Sequence, residues 1–210
     1  MGDLMSQSYK TLSGRGEAEI LERRSRFMAL ALPVEGEEEA GSVLAEVRKK
    51  HSGANHNVYA YITGKNGEHI RCSDDGEPSG TAGAPVLAVL KGQSITNAMV
   101  IVTRYFGGTL LGGGGLVRAY SLAAKEAVLA AGVAERILYD IYILRIAYPL
   151  LSKFQYEFGK RGYVILDAIY AADITLTVQT ESAKSAEFIA LAASLSGGAA
   201  EAVFEGQCYK

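Results

Sequence analysis

Apolar residues recur along this chain with two periods, and their order predicts alternating strands and helices. Residues 17–22 and 27–33 read as strands, with residues 33–36 as a turn. Residues 37–50 bring Val43, Leu44 and Val47 to one helical face. Acids fill the first turn and Arg48, Lys49 and Lys50 the last, the order the helix dipole favours. Residues 57–63 form a β-branched and aromatic strand. A hairpin turn at 64–67 follows, because Asn-Gly tolerates positive φ, and residues 69–72 return. Residues 84–91 predict a short helix with Pro85 near its start and Gly92 past its end. Residues 98–103 are apolar without interruption, as in a central strand buried on both faces. Residues 115–131 predict a long helix with Leu116, Tyr120, Ala123, Ala127 and Ala131 on one face, closed by Gly132.

Beyond residue 136 the rhythm changes. Residues 138–147 read as a strand, and 150–160 as a helix with Leu150, Leu151, Phe154 and Phe158 inward. Residues 164–170 and 174–179 are strands. In the second, Ile174, Leu176 and Val178 point in while Thr175, Thr177 and Gln179 point out. Residues 182–195 are a helix, and 199–207 close the unit. The order βαββαβ is the ferredoxin-like split arrangement, whose antiparallel sheet can leave one face open. The expected class is therefore α+β in two domains, residues 1–134 and 135–210.

Composition narrows the function classes. Of 210 residues, 49% are hydrophobic and 21% charged, enough apolar content for a real core. The formal net charge of −2 divides evenly between the two parts, which argues against a general basic coat but not against a local basic patch. No run approaches the ~20 apolar residues of a membrane span, and residues 1–10 lack the apolar core of a secretory signal. The two cysteines, Cys72 and Cys208, show no ligand spacing, so a reducing, cytoplasmic compartment is expected. Cys72 sits beside an acidic pair, which raises a thiol's pKa, and reads as a small packing residue.

Two glycine-rich segments interrupt the rhythm and carry the candidate chemistry. The first, residues 71–85, places Arg71, Asp74, Asp75, Glu77, Ser79 and Thr81 between two core elements with almost no apolar side chain. The acids would suit Mg²⁺, a hard cation that prefers oxygen ligands. Ser79, Thr81 and backbone amides would instead suit an anion at the helix start. Local capping and turn formation explain single residues there, but poorly explain the whole run. A metal site joining His56 to Asp74 or Asp75 is the weaker alternative, and no cofactor is otherwise called for. His51 ends a helix, where a cation is welcome, and needs no further role.

The second segment, residues 103–120, holds six glycines in nine residues between a strand and a helix. Gly107, Gly108, Gly113 and Gly114 would let amides approach a phosphate, with Arg104 and Arg118 as flanking cations and Lys125 near the same face. No Gly-Lys-[Ser/Thr] follows, so it is not a Walker loop, and no Rossmann fingerprint is present. A tight connection needing positive φ would require only one or two glycines. Tyr105 and Phe106 read as core or as stacking platforms, core being favoured. Arg23, Arg24 and Arg26 read as a solvated strand edge that would extend an RNA-contacting face.

These segments resemble the YigZ/IMPACT family through SDDGEPSGTAGAP and VTRYFGGTLLGGGGLVRAYSLAAKEA, supported by HNVYAYITG and SRFMALALP. The motifs match in order and spacing across residues 14–132. The second part is similar to the ferredoxin-like domain that bacterial members append. The resemblance implies an N-terminal domain like the second domain of a small-subunit ribosomal protein, a fold recurring in domain four of elongation factor G. The appended domain would be similar to that factor's domain five. It implies no catalytic residues. Eukaryotic members restrain a stress-response kinase pathway largely through an extra N-terminal domain that this chain does not carry, so that role is not expected here. Fold analogy alone does not give function. Three functions remain open: a non-enzymatic binder of RNA or the ribosome affecting translation, an enzyme acting with Mg²⁺ on a phosphorylated small molecule or nucleotide, and a protein–protein adaptor.

Overall fold

The computed structural model describes residues 8–210. Most of the stretch read above for a secretory signal lies outside the described residues. The chain divides into two compact units between Glu135 and Arg136, and the architecture is α+β.

The first unit is built on an antiparallel sheet in the order β2 (Gly16–Glu22), β3 (Ser25–Pro33), β6 (Ala98–Tyr105), β4 (His56–Thr63) and β5 (His69–Ser73). A strand the hydrophobic rhythm does not reveal, β1 (Ser8–Leu12), precedes it. Its Lys10 carbonyl accepts from the Thr96 amide at 2.8 Å. Helix α1 (Glu37–Lys50) covers one face of the sheet. Helices α2 (Gly83–Gly92) and α3 (Gly113–Ala131) cover the other.

This layering explains the apolar run in β6. Val100 and Val102 pack with Phe27 and Ala60 under α2 and α3, while Met99 and Ile101 join Leu30 and Val47 under α1. A strand buried on both faces has no polar alternation to show. Small residues on α3 let it lie close to the sheet. A Cβ added at Gly16 would come within 2.2 Å of the Ala131 nitrogen. The predicted α3 face is buried at every named position.

The second unit runs β7 (Val133–Ile146), α4 (Leu151–Arg161), β8 (Val164–Tyr170), β9 (Ile174–Glu181), α5 (Ser185–Ser196) and β10 (Ala202–Tyr209), the division between units falling inside β7. Pairing gives the antiparallel order β10-β7-β9-β8, which is the ferredoxin-like arrangement. Phe154, Phe158 and Phe188 fill the space between helices and sheet, with Leu144, Leu176 and Val178 beneath them. On the opposite face Val164, Ile169 and Val203 are exposed.

One residue predicted to point outward does so in register but is not exposed. Gln179 is buried, donating Nε2 to Cys208 Sγ at 3.1 Å and accepting from Lys210 Nζ at 2.6 Å. The alternation is correct for the strand, and Cys208 of β10 together with the following Lys210 supplies the polar partners that let the glutamine be buried.

Candidate functional site

The first glycine-rich segment folds around its own acids. Asp74 accepts hydrogen bonds from the amides of Gly80 (2.9 Å), Ala82 (3.0 Å) and Gly83 (2.8 Å), and so caps the start of α2 across the loop. Burial alone would raise its pKa, but the three amide donors outweigh that and hold it below the usual aspartate range. Asp75 adopts a left-handed φ of +46°. Its carboxylate takes Arg48 Nη2 at 2.7 Å and the Asn57 amide at 2.7 Å, fastening the loop to α1 and β4.

Glu77 turns inward and is buried. Its Oε1 accepts from Arg104 Nη1 at 2.6 Å and from the Tyr120 hydroxyl at 2.7 Å. Burial, then the bond to Glu77, pushes the Tyr120 phenol well above its usual range, so it stays a protonated donor. His56 Nδ1 meets the Asp75 carbonyl at 2.8 Å, a contact only an N–H can make. In the neutral ring Nε2 is then an acceptor, 3.8 Å from Glu77 Oε1.

The second segment closes over the same place. The Phe106 amide donates to Asn55 Oδ1 at 2.8 Å, and the Gly107 amide to Ser25 Oγ at 3.3 Å. Gly107 is required sterically, since a Cβ there would lie 2.1 Å from the Arg24 carbonyl. Gly108 (φ +78°) and Gly112 (φ +71°) instead adopt positive φ, which favours glycine. Helix α3 then starts at Gly113 with no side-chain cap, so its first amides carry the helix's positive end unneutralised.

Between the segments lies a cleft of about 380 Å³, within the size range of ligand sites. His56, Glu77 and Arg104 line its polar side, and Phe106, Leu110 and Leu111 its apolar side. The two segments are joined through Glu77, and Thr81 approaches the start of α3. Thr81 Cγ2 would be 3.8 Å from a Cβ on Gly113. Arg118 folds back toward the helix start, its Nη1 3.7 Å from where a Gly114 Cβ would be.

The structure therefore brings together Glu77, Thr81, Arg104, Gly107, Gly113, Gly114 and Arg118, but it changes several roles. Arg104 is 5% exposed and its charge is met by Glu77, so it is an internal strut rather than a free cation. Asp74 and Asp75 spend their oxygens on local donors. Among the described residues no three carboxylate, histidine or cysteine groups gather as metal ligands. Ser79 and Gly108 are exposed on their loops. Arg71 lies outside the cleft. It pairs across the strands with Tyr61, which packs on the α1 face. Tyr105 faces α1 as well, its hydroxyl 2.9 Å from His51 Nδ1. Burial, then neighbouring Lys50 and Arg26, lowers the His51 pKa, so the cation expected at that helix end is disfavoured. Cys72 is exposed rather than packed.

Four residues named in the sequence reading take parts it did not favour or specify. Phe106 is 43% exposed and forms the cleft wall. Tyr120 reads as a core residue, yet its hydroxyl reaches Glu77. Arg23 and Arg24 form the two-residue β2–β3 turn with φ of +45° and +69°, a strained conformation for arginine. Arg26 instead pairs with Glu19 through both Nε and Nη2 at 2.7 Å.

Residues 23–128 match the Impact N-terminal domain, and residues 144–199 match a domain of unknown function, DUF1949. The chain is 36% identical over 203 residues to IMPACT family member YvyE of Bacillus subtilis, covering 97% of this chain and 93% of that protein. It is 35% identical over 178 residues to IMPACT family member YigZ of Escherichia coli, covering 84% and 87%. Protein IMPACT of Mus musculus is 40% identical over 98 residues, 30% of that protein's length. A solved structure described as that of a hypothetical protein superposes with a TM-score of 0.63 at 31% identity, covering 96% of this chain and 98% of that one.

Proposed function

The chain belongs to the IMPACT family, and on that premise we propose that it is a cytoplasmic, non-enzymatic protein that binds RNA or the ribosome and acts in translation. The observation that carries this reading is the uncapped, glycine-lined start of α3 beside Phe106, with Arg118 folded back toward that helix end at Gly114. Free amides and a guanidinium suit a phosphate, and an exposed ring suits a base. The Arg23–Arg24 turn adds two exposed cations, with the Arg24 backbone against Gly107. A net charge of −2 predicts modest, salt-sensitive binding. Co-sedimentation with ribosomes at low and high salt tests the reading. Retention at low salt that is lost as salt rises is expected, and no retention at low salt defeats it.

One observation favours a second reading, an enzyme acting on a phosphorylated small molecule or nucleotide. His56 Nε2 lines the cleft with its ring oriented by the Asp75 carbonyl, as a general base would be. Thermal shift with nucleotides and phosphometabolites, with and without Mg²⁺, separates the two. Stabilisation by one such compound, without ribosome retention, would favour the enzyme.

A further inference from the structure

The cleft contains a stack that ends in solvent. Tyr120 meets Phe27 edge-on with ring centroids 5.1 Å apart. The Arg104 guanidinium lies 5.3 Å from the Phe27 ring and 5.4 Å from the Phe106 ring. Tyr120, Phe27 and Arg104 are buried, whereas Phe106 is 43% exposed. A column of rings and one cation thus runs from the core into the cleft and stops at an open ring. Arg104 Nε is buried without a partner, while its terminal nitrogens hold Glu77 and Ser25. The residue serves this column by its plane, not by offering itself to a phosphate.

The surroundings of that open ring have two chemistries. Leu110, 81% exposed, and Leu111 make it apolar. The start of α3 at Gly112 and Gly113 lines the cleft and gives that rim positive potential, with Arg118 folded back toward the same helix end at Gly114 and the Arg24 turn against Gly107. An aromatic side chain of a protein partner would use the ring but bring no anion. An acidic peptide would use the rim but leave the ring bare. A nucleotide supplies a flat π face and a phosphate within one residue. In a duplex the bases are stacked on one another and cannot reach such a ring, whereas an unpaired base can.

We propose that the cleft takes one unstacked nucleobase of single-stranded RNA against Phe106 and Leu110, with an adjoining phosphate on the start of α3 and Arg118. The proposal rests on the RNA-binding reading above and specifies its ligand. The test is equilibrium binding of the full chain to a fluorescently labelled single-stranded oligoribonucleotide, with the matching duplex as competitor. Single-stranded RNA should bind at least about tenfold tighter than duplex at equal salt. Phe106→Ala, an exposed position, should lose roughly ten- to a hundredfold in affinity, while Phe106→Trp keeps binding. If Phe106→Ala binds as the unaltered chain does, or duplex competes equally, the base pocket is wrong and RNA binding itself stands. If the unaltered chain binds no RNA, both readings fall.

Discussion

Glu77 Oε1 accepts two hydrogen bonds, from Arg104 Nη1 at 2.6 Å and from the Tyr120 hydroxyl at 2.7 Å. That one oxygen joins the acidic loop to the strand and to the helix that frame the second loop, so both segments share one internal anchor. Both charged side chains are about 95% buried, and neither has water to fall back on.

Removing one partner should therefore cost far more than removing both. Glu77→Leu and Arg104→Met should each destabilise the chain by about 3–5 kcal/mol in denaturant unfolding, through the uncompensated buried charge left behind. The double replacement Glu77→Leu with Arg104→Met should recover most of that loss. Additive single and double effects would mean that the pair is not a coupled unit.

Asp74 should matter to stability in a pH-dependent way. Its folded pKa lies below the unfolded value, so its contribution is complete above about pH 4 and is lost as pH falls through the folded pKa. Asp74→Asn should cost about 1–2 kcal/mol at neutral pH, the scale of a lost helix cap. The difference between the two proteins should shrink in unfolding series taken below about pH 4. A difference that stays constant into acid would remove the carboxylate from the account.

The two neighbouring glycines should respond differently. Gly107→Ala meets the Arg24 carbonyl and should cost about 1–3 kcal/mol by forcing the β2–β3 turn away. Gly108 has open space and only a left-handed φ, so Gly108→Asn should be close to neutral. Equal melting temperatures for the two variants would show that the turn does not rest on the glycine loop.

Helix boundaries and the βαββαβ order were legible because long amphipathic runs and alternation are local signals. The predicted helix 37–50 and strand 164–170 match α1 and β8. Strand β1 was not legible. Its five residues, Ser8-Tyr-Lys-Thr-Leu12, carry no alternation, and its placement depends on partners far along the chain, strand β7 and the Thr96 amide. The site's location was legible for a different reason: a long polar, glycine-rich run between core elements has no packing explanation. The roles within it were not. An arginine beside a glycine loop reads as a phosphate cation, and nothing local shows that a glutamate 27 residues away neutralises it. Likewise the ring that faces the cleft is Phe106 rather than Tyr105, because strand alternation sends Tyr105 to the α1 side with Thr103 and Ile101.

Because Arg104 is internal, its removal would confuse folding with binding, and Arg118 is the cation to test. The most direct measurement is the affinity for single-stranded RNA across a salt series, for the unaltered chain and for Arg118→Ala. The account predicts that log affinity falls linearly with log salt, and that Arg118→Ala binds more weakly with a slope shallower by about 0.7, one phosphate contact on a single strand. An unaltered slope in Arg118→Ala, or no binding by the unaltered chain at about 50 mM salt, would contradict it.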